Sequence, residues 1–340
     1  MNRPHSLQAF VVTLLAAFSL TAQAWDRGTA TTFATLPPRT GHPEGITADS
    51  QGNLYVADFD VSGETAVGNV IVFNRAGQFV RKLEIPGSSN LLLGIAFHPQ
   101  THALLVIDFG HQQVLEIDPV NATPTVFTTI PGGSSAGPNG LAFDQAGNVY
   151  ISDSFAGTIW RTGPTGGAPS PWISHPLLTT SGVPPFGANG IAFNNAFSAL
   201  FVANTGNDTI VRIPVGAGGA AGAPEVFVNS INGADGLLID AADNFWVAAN
   251  QSDEIVVLDS SGKVIAKLGD FGGIDARGAP IGLLFPASLV ISNGFLYVTN
   301  LALDLRLFGL AQTTNSQWSA QVTRHTIARM RAQLPPVRGN

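Results

Sequence analysis

The stretch GPNGLAFDQAGNVYISDS, residues 137–154, decides the fold. It holds two short runs of β-branched and aromatic residues separated by a Gly-Asn turn, which predicts two antiparallel strands joined by a tight connection. Residues 187–204, GANGIAFNNAFSALFVAN, repeat nearly the same phrase. A phrase that recurs at a regular interval indicates repeated structural units.

Six copies of this phrase align along the chain. Each copy has an anchor position, which is glycine in five copies and serine in the last: Gly45, Gly94, Gly140, Gly190, Gly236 and Ser288. The intervals between successive anchors are 49, 46, 50, 46 and 52 residues. Units of this length made of short strands are typical of a β-propeller with one unit per blade. The sequence therefore predicts an all-β, six-bladed β-propeller with four-stranded blades.

The two ends of the repeat region are incomplete in a complementary way. Residues 29–36 resemble the fourth strand of a blade, but no first three strands precede them. Residues 324–331 resemble a third strand, but no fourth strand follows. We therefore expect the N-terminal strand to complete the last blade and close the ring, which removes an exposed sheet edge. Residues 301–320 then form a long insertion between the second and third strands of that blade.

The composition agrees with a β-rich protein and excludes several functions. Hydrophobic residues make up 45% of the 340 residues and charged residues 11%, with 38 glycines and 22 prolines. Such a chain suits many short strands joined by tight turns. The net charge of −7 and the scattered basic residues argue against a nucleic-acid partner. The sequence has no cysteine, which excludes disulfides and a thiol nucleophile.

The first 24 residues differ from the rest of the chain. Arg3 is followed by an apolar run at residues 9–20, and Ala22 and Ala24 precede Trp25. This order predicts a secretory signal peptide that is cleaved after Ala24, and hence an exported protein, periplasmic or secreted. No later stretch is long and apolar enough to predict a membrane span. The expected organisation is a signal peptide at residues 1–24, a propeller at 25–335 and a C-terminal tail at 336–340.

The residue before each anchor varies little. At four of the six positions it carries a carboxylate or a carboxamide, and at none is it basic. Because these residues begin the innermost strands, we expect all six to surround the central tunnel at one level. We call these six positions the ring: Glu44, Leu93, Asn139, Asn189, Asp235 and Ala287.

Two interpretations of the ring remain open on the sequence alone. Asn-Gly and Asp-Gly pairs favour turns with positive φ, which accounts for Asn139, Asn189 and Asp235 taken singly but not for Glu44. Alternatively, four oxygen-bearing side chains converge on a divalent cation, which removes the cost of burying unpaired polar groups. Calcium accepts six to eight oxygen ligands and suits a wide ring better than magnesium does, although another divalent metal is possible.

The six phrases and the ring together resemble the SMP-30/gluconolactonase/lactonase family of six-bladed propellers, over residues 28–331. The resemblance implies one catalytic divalent metal, usually calcium, held by Glu44, Asn139, Asn189 and Asp235. It implies a hydrolase that opens a lactone or cleaves an ester. Asp235 would be the catalytic residue, as general base or as nucleophile.

One departure from that family bears on the substrate. The sugar-lactone members have an arginine shortly before the middle-blade Asn and an acid just after it. This chain has Gly137 and Pro138 before Asn139, and Gly140 after it. A polyhydroxylated sugar acid would lose those contacts. The departure favours a different small-molecule substrate.

Loops expected around the tunnel mouth contain several aromatic residues. In a propeller, the starts of first strands and the loops after second strands share one face, so the insertion at 301–320 is expected over the mouth. Phe155, Phe186 and Phe271 fall in or next to these loops, and His111 lies on the same face. We predict these four as substrate-binding residues, with a hydrophobic lactone or ester as substrate. The alternative is that the aromatic rings only pack the loops together.

Two other functions remain possible on the sequence. Residues 190–213, GIAFNNAFSALFVANTGNDTIVRI, also resemble the NHL repeat, whose propellers bind partners without catalysis. In that case the ring is structural. A phosphoester or organophosphate hydrolase could use the same metal ring with a differently shaped pocket. A propeller fold hosts many functions and does not choose among them.

Overall fold

The computed structural model describes residues 27–310 and 314–334. The predicted signal peptide and the predicted C-terminal tail lie outside the described residues. The regular secondary structure of the described chain is almost entirely β, with one α-helix, α1 (Thr314–Ser319). It also contains short 3-10 helices at Gly133–Ser135, Pro176–Leu178, Ala217–Gly219 and Leu305–Phe308.

Six four-stranded antiparallel sheets form the blades. Blade 1 contains β2 (His42–Ala48), β3 (Leu54–Phe59), β4 (Asn69–Phe73) and β5 (Phe79–Glu84). Blade 2 contains β6 (Leu92–Phe97), β7 (Leu104–Asp108), β8 (Gln113–Ile117) and β9 (Pro124–Thr129). Blade 3 contains β10 (Pro138–Phe143), β11 (Val149–Asp153), β12 (Thr158–Gly163) and β13 (Gly166–Ser174).

The second half of the chain repeats this order. Blade 4 contains β14 (Ala188–Phe193), β15 (Ala199–Asn204), β16 (Thr209–Pro214) and β17 (Glu225–Val228). Blade 5 contains β18 (Ala234–Ile239), β19 (Phe245–Ala249), β20 (Glu254–Leu258) and β21 (Val264–Leu268). A two-stranded hairpin, β22 (Phe271–Ile274) and β23 (Pro280–Gly282), leads to blade 6, which contains β24 (Pro286–Ser292), β25 (Phe295–Asn300), β26 (Thr326–Arg331) and β1 (Thr31–Thr35). The predicted six-bladed propeller is confirmed.

The propeller closes as predicted. Strand β1 pairs antiparallel with β26, with Thr31 opposite Arg329 and Thr35 opposite Thr326. The N-terminal strand is therefore the outermost strand of a blade whose other three strands come from the end of the chain. The predicted insertion lies between β25 and β26 and spans residues 301–325, which we call the mouth insertion.

The hairpin between the first and second strands of a blade has a local cause. In blade 3, Asp144 Oδ1 accepts the backbone N–H groups of Ala146 and Asn148, each at 2.9 Å. Gly147 has φ of 80°, a conformation that glycine adopts without strain. Asp49 and Asp240 cap the same turn in blades 1 and 5. An Asx turn thus reverses the chain at the end of the first strand.

The core lies between blades. Because each second strand is covered on both faces by neighbouring blades, it reads as a continuous apolar run, and every residue of β3 is buried. At the seam where the ring closes, Val56 and Ile71 of blade 1 pack in one cluster with Tyr297 and Ile327 of blade 6. Apolar burial of this kind holds the blades together. Among the described residues, none of the helices has the length and apolar character needed to span a membrane.

Candidate functional site

The ring residues lie where each innermost strand is bulged. In blade 3, Pro138 pairs with Asp153 and the next pair is Leu141 with Ile151, so Asn139 and Gly140 are left outside the ladder. The same shift occurs in all six blades, always at the ring residue and its anchor. Since a bulge releases a residue from regular pairing, it re-aims the side chain. The innermost strands begin one or two residues before the ring rather than at it.

The anchor glycines are required by close approach of neighbouring blades. A Cβ atom on Gly45 would lie 2.3 Å from the carbonyl oxygen of Leu93, and one on Gly190 would lie 2.4 Å from that of Asp235. None of the five anchor glycines has a positive φ. The turn interpretation of the Asn-Gly and Asp-Gly pairs is therefore wrong. Glycine is needed because the bulged strand of one blade touches the backbone of the next.

Glu44 and Asp235 are buried acids with unused oxygens. Each is about 5% exposed or less. Glu44 Oε2 and Asp235 Oδ1 have no hydrogen-bond partner among the described residues. Burial, together with the charge of Asp235, raises the pKa of Glu44 well above its usual range. Burial raises the pKa of Asp235 to about 7, although hydrogen bonds from Asn250 and Asn189 act in the opposite direction. Two such acids are costly unless a proton or a cation neutralises them.

The two ring asparagines are held by their amide nitrogens. Asn139 Nδ2 donates to Ser154 Oγ at 3.3 Å. Asn189 Nδ2 donates to Thr205 Oγ1 at 2.9 Å. Because these bonds use the N–H donors, the carbonyl oxygens are the atoms that each amide can offer to a ligand.

Three residues that hydrogen-bond to ring side chains form a column that the sequence analysis did not identify, and we call them the supporting residues. Ser154, Thr205 and Asn250 directly follow the second strands β11, β15 and β19. They belong to the same blades as the ring residues that they contact, at sequence separations of 15, 16 and 15 residues. The sequence did carry a signal for this column. The position is polar in blades 3, 4 and 5, whereas the equivalent residues of the other blades are apolar: Phe59, Phe109 and Leu301.

The ring can hold a hard cation. Among residues 27–310 and 314–334, no group of three or more His, Asp and Glu side chains is placed to bind a metal ion. The ring instead offers two carboxylates and two amide oxygens, which is a donor set that suits a hard divalent cation. The donor set fits a cation because Glu44 and Asp235 each have one buried oxygen without a hydrogen-bond partner among the described residues.

A small apolar cavity lies against the ring. Its volume is about 40 Å³, and Glu44, Asn139, Asn189 and Asp235 all line it. The rest of its lining is mostly apolar and comes from loops on one face: Phe59, Leu93, Pro184, Phe186, Phe285, Leu301, Leu303 and Leu305, with Thr205 and Asn250. A second cavity of about 240 Å³ continues down the tunnel and shares Glu44, Asn139 and Asn189 with the first. The ring thus separates the mouth from the tunnel.

The mouth insertion is tied down over this cavity, as the sequence led us to expect. Leu301, Leu303 and Leu305 line the cavity. The side-chain amide of Asn315 donates to the Asn250 carbonyl oxygen at 3.0 Å. His42 Nδ1 lies 2.7 Å from the carbonyl oxygen of Leu301. These contacts join the insertion to blades 1 and 5.

The four predicted substrate-binding residues differ in their position relative to the cavity. Phe186 lines the cavity, and Phe155 stacks on it with ring centroids 5.7 Å apart. Phe271 packs against Trp318 at 5.4 Å, away from the described lining. His111 Nδ1 lies 3.0 Å from Asp108 Oδ2 on a half-exposed loop, and is likewise outside that lining.

Comparison with known proteins agrees with this architecture. A model of the SMP-30/gluconolactonase/LRE-like region matches residues 185–269. The luciferin-regenerating enzyme has a similar structure, with a TM-score of 0.64 and 16% identity over 88% of this chain and 95% of that one. None of the curated proteins matches the sequence.

Two bacterial structures are also similar. Regucalcin from Agrobacterium tumefaciens, described as a calcium-binding protein, has a TM-score of 0.60 at 16% identity over 91% of this chain and 99% of its own. A gluconolactonase from Xanthomonas campestris has a TM-score of 0.57 at 16% identity, with 78% and 85% covered. Structural similarity at sequence identities this low establishes a shared fold only, and the fold does not fix the activity. The chain is thus a six-bladed propeller that carries the SMP-30/gluconolactonase/LRE-like sequence pattern over residues 185–269.

Proposed function

We propose that this protein is a calcium-dependent hydrolase that opens a lactone or cleaves an ester of an apolar substrate at the ring. The single observation that carries the proposal is the pair Glu44 and Asp235, two buried acids with orphaned oxygens at the base of an apolar cavity. Perturbed acids in a cleft are a mark of functional sites. The family of the matching model and the neighbour named as a gluconolactonase support the same reaction class. The neighbour regucalcin, described as a calcium-binding protein, supports the choice of ion.

Glu44, Asn139, Asn189 and Asp235 would hold the cation. Calcium is the ion of choice because all four donors are oxygens and half of them are neutral amides. When bound, the cation supplies a positive charge that polarises the substrate carbonyl and stabilises the oxyanion that develops.

The chain's own residues supply the remaining chemistry. Asn250 donates to Asp235 Oδ2 at 3.0 Å and fixes that carboxylate, which leaves Oδ1 to take the proton of an attacking water or to attack the carbonyl carbon itself. The apolar wall that includes Leu301 and Phe285 excludes bulk water and keeps the carboxylate basic. The Asn189 amide also lowers the pKa of the same carboxyl.

The structure gives a reason to prefer catalysis over partner binding. A propeller that only binds partners at its surface has no need of two acids buried in its tunnel, where each unpaired polar group costs a few kcal/mol. The cavity lining favours an apolar substrate over a sugar, since few polar groups besides the ring and its supporting residues reach it.

Export of the mature protein is part of the proposal. It rests on the order of charged, apolar and small residues in the first 24 positions. N-terminal sequencing of the protein recovered from cell fractions tests it. We expect a chain that begins at Trp25 outside the cytoplasm.

The test of the proposed function combines unfolding and turnover. We expect calcium to raise the midpoint of thermal unfolding, with magnesium less effective and excess chelator reversing the shift. A ligand at about 100 times its dissociation constant adds about 2.7 kcal/mol of stability. Asp235→Asn should abolish turnover of a panel of lactones, aryl esters and phosphotriesters, and should erase the calcium shift while the protein stays folded. Full turnover in Asp235→Asn, or a preference for phosphotriesters, would contradict the proposal.

A further inference from the structure

The cavity at the ring is too small for a whole substrate. A volume of about 40 Å³ corresponds to only about three water molecules, since one water needs about 10–15 Å³ of such space. A reacting carbonyl and its immediate neighbours fit there, and the rest of an apolar substrate must lie outside against the mouth.

Three phenylalanines lead from the cavity to the surface, and we call them the aromatic row. Phe186 lines the cavity. Phe155 is stacked on Phe186, with centroids 5.7 Å apart and planes inclined by 29°. Phe109 meets Phe155 edge-on at 5.7 Å and Phe186 at 6.5 Å. Phe155 is 44% exposed, so the row ends in solvent.

The position of Phe155 depends on a glycine. A Cβ atom on Gly137 would lie 2.8 Å from two atoms of the Phe155 ring, which is too close. Gly137 does not have a positive φ, so its backbone does not demand glycine. The phenyl group of Phe155 occupies the space that any side chain at position 137 would fill.

The backbone beside the row is also fixed. Asp153 Oδ1 accepts the N–H groups of Gly137 at 2.8 Å, Phe155 at 3.1 Å and Ala156 at 3.0 Å. One buried carboxylate thus sets the relation between Gly137 and Phe155. A row held in this way is preorganised for a ligand and does not need to order on binding.

Other exposed apolar side chains adjoin the mouth. Val183 is 47% exposed and precedes Pro184, which lines the cavity. Leu307 and Phe308 are exposed on the 3-10 helix that contains the cavity residue Leu305. Exposed apolar groups gathered at one opening mark a surface that binds apolar ligands.

We propose that the aromatic row is a subsite for the alkyl or aryl chain of the substrate, and that Gly137 is the residue that makes the subsite possible. The inference rests on the proposed hydrolase function, because it takes the ring as the place where the reacting carbonyl binds. The substrate class is then a lactone or ester with an apolar chain attached near the carbonyl. The chain lies along Phe186 and Phe155.

The experiment compares γ-lactones with methyl, butyl and octyl side chains. In the calcium-loaded wild-type protein we expect kcat/KM to rise about two- to fourfold for each methylene group that reaches the row. Phe155→Ala should remove most of this rise. Phe79→Ala is the matched control, because Phe79 is 50% exposed on the outer strand β5, and it should retain the full chain-length dependence.

Gly137→Ala should reproduce the loss by displacing the Phe155 ring. The double variant Gly137→Ala/Phe155→Ala removes the clash, so it should match Phe155→Ala alone, a non-additive result that identifies the contact between the two residues. Equal chain-length dependence in wild type and Phe155→Ala would overturn the proposal. So would additive effects of the two substitutions.

Binding measured without turnover separates the two proposals. Calorimetric titration of the octyl lactone into Asp235→Asn, with and without Phe155→Ala, reports the subsite directly. If Phe155→Ala weakens binding but the wild-type protein hydrolyses no lactone or ester, the subsite stands and the hydrolase function fails. If the wild-type protein hydrolyses the lactones but Phe155→Ala changes neither binding nor rate, the hydrolase stands and the subsite fails. Absence of both binding and turnover overturns both.

Discussion

Asn250 donates a hydrogen bond of 3.0 Å to one oxygen of Asp235, and the other oxygen of that carboxylate has no partner among the described residues. Both residues belong to blade 5, where Asp235 lies on the innermost strand β18 and Asn250 follows β19. The two oxygens of one carboxylate are therefore unlike. One is fixed by the blade, and the other remains for a cation, a proton or a substrate.

Removal of this hydrogen bond should change the pH dependence of catalysis. Because the bond favours the charged form, it lowers the pKa of Asp235, and its loss should raise that pKa. In Asn250→Ala the rise of kcat/KM with pH should therefore move to higher pH. Gln251→Ala is the control, because the Gln251 side chain bonds the amide oxygen of Asn250 and not Asp235. The pH profile of kcat/KM in this variant should match wild type. An unshifted profile in Asn250→Ala would show that Asp235 is not the titrating base.

The hydroxyl groups behind the ring asparagines should control calcium affinity. Thr205→Val keeps the shape of the side chain but removes the acceptor for Asn189 Nδ2, which frees that amide to turn. Loss of a group that orients a ligand typically lowers metal affinity about 10- to 100-fold. Calorimetric titration with calcium measures this, with Thr162→Val as control, since Thr162 bonds Gly167 on the outer part of blade 3. Equal calcium affinity in Thr205→Val and wild type would remove Asn189 from the ligand set.

The anchor glycines should be intolerant of a methyl group. In Gly190→Ala the new Cβ would meet the backbone of Asp235 at 2.4 Å and that of Leu237 at 2.7 Å, so two blades must move apart. We expect the free energy of unfolding to fall by about 1–3 kcal/mol. Gly163→Ala is the matched control: it also lies on a strand without positive φ, its nearest neighbour is 3.9 Å away, and we expect a change within about 0.5 kcal/mol. Chemical denaturation measures both, and equal stabilities would show that the close approach carries no cost.

The fold was predictable because its cause repeats. Six copies of one phrase reveal the blades by their spacing, and the incomplete first and last copies reveal the closure by β1. The ring was predictable for the same reason, since a position that recurs once per blade must recur once per turn around the tunnel. The bulge at Asn139 and Gly140 was not predictable, because strand pairing shows which residues are left out and the sequence phrase does not.

Contacts between loops were beyond the sequence pattern. The fit of the Phe155 ring over Gly137 depends on how one side chain lies in its loop, which the repeated phrase does not show. The loop contact of Asp153 does recur, since Asp58 accepts the N–H group of Gly41 in blade 1 as Asp153 accepts that of Gly137 in blade 3. Phe271 and His111 were assigned to the mouth face from their place in the repeat, and their roles stay predictions, because loop conformation places them beside Trp318 and Asp108. The supporting column at Ser154, Thr205 and Asn250 was within reach, since each member follows its ring residue by 15 or 16 positions.

Closure of the propeller by β1 has a consequence for the order of folding. Thr31 and Arg329 are 298 residues apart in the chain, whereas the four strands of each of the other five blades are consecutive in sequence. Blades 1 to 5 can therefore form from local contacts as synthesis proceeds, but blade 6 must wait until almost the whole chain is available. Until then the seam formed by Ala34, Ile46 and Tyr297 exposes apolar surface, and the nascent protein is most prone to aggregation in this interval.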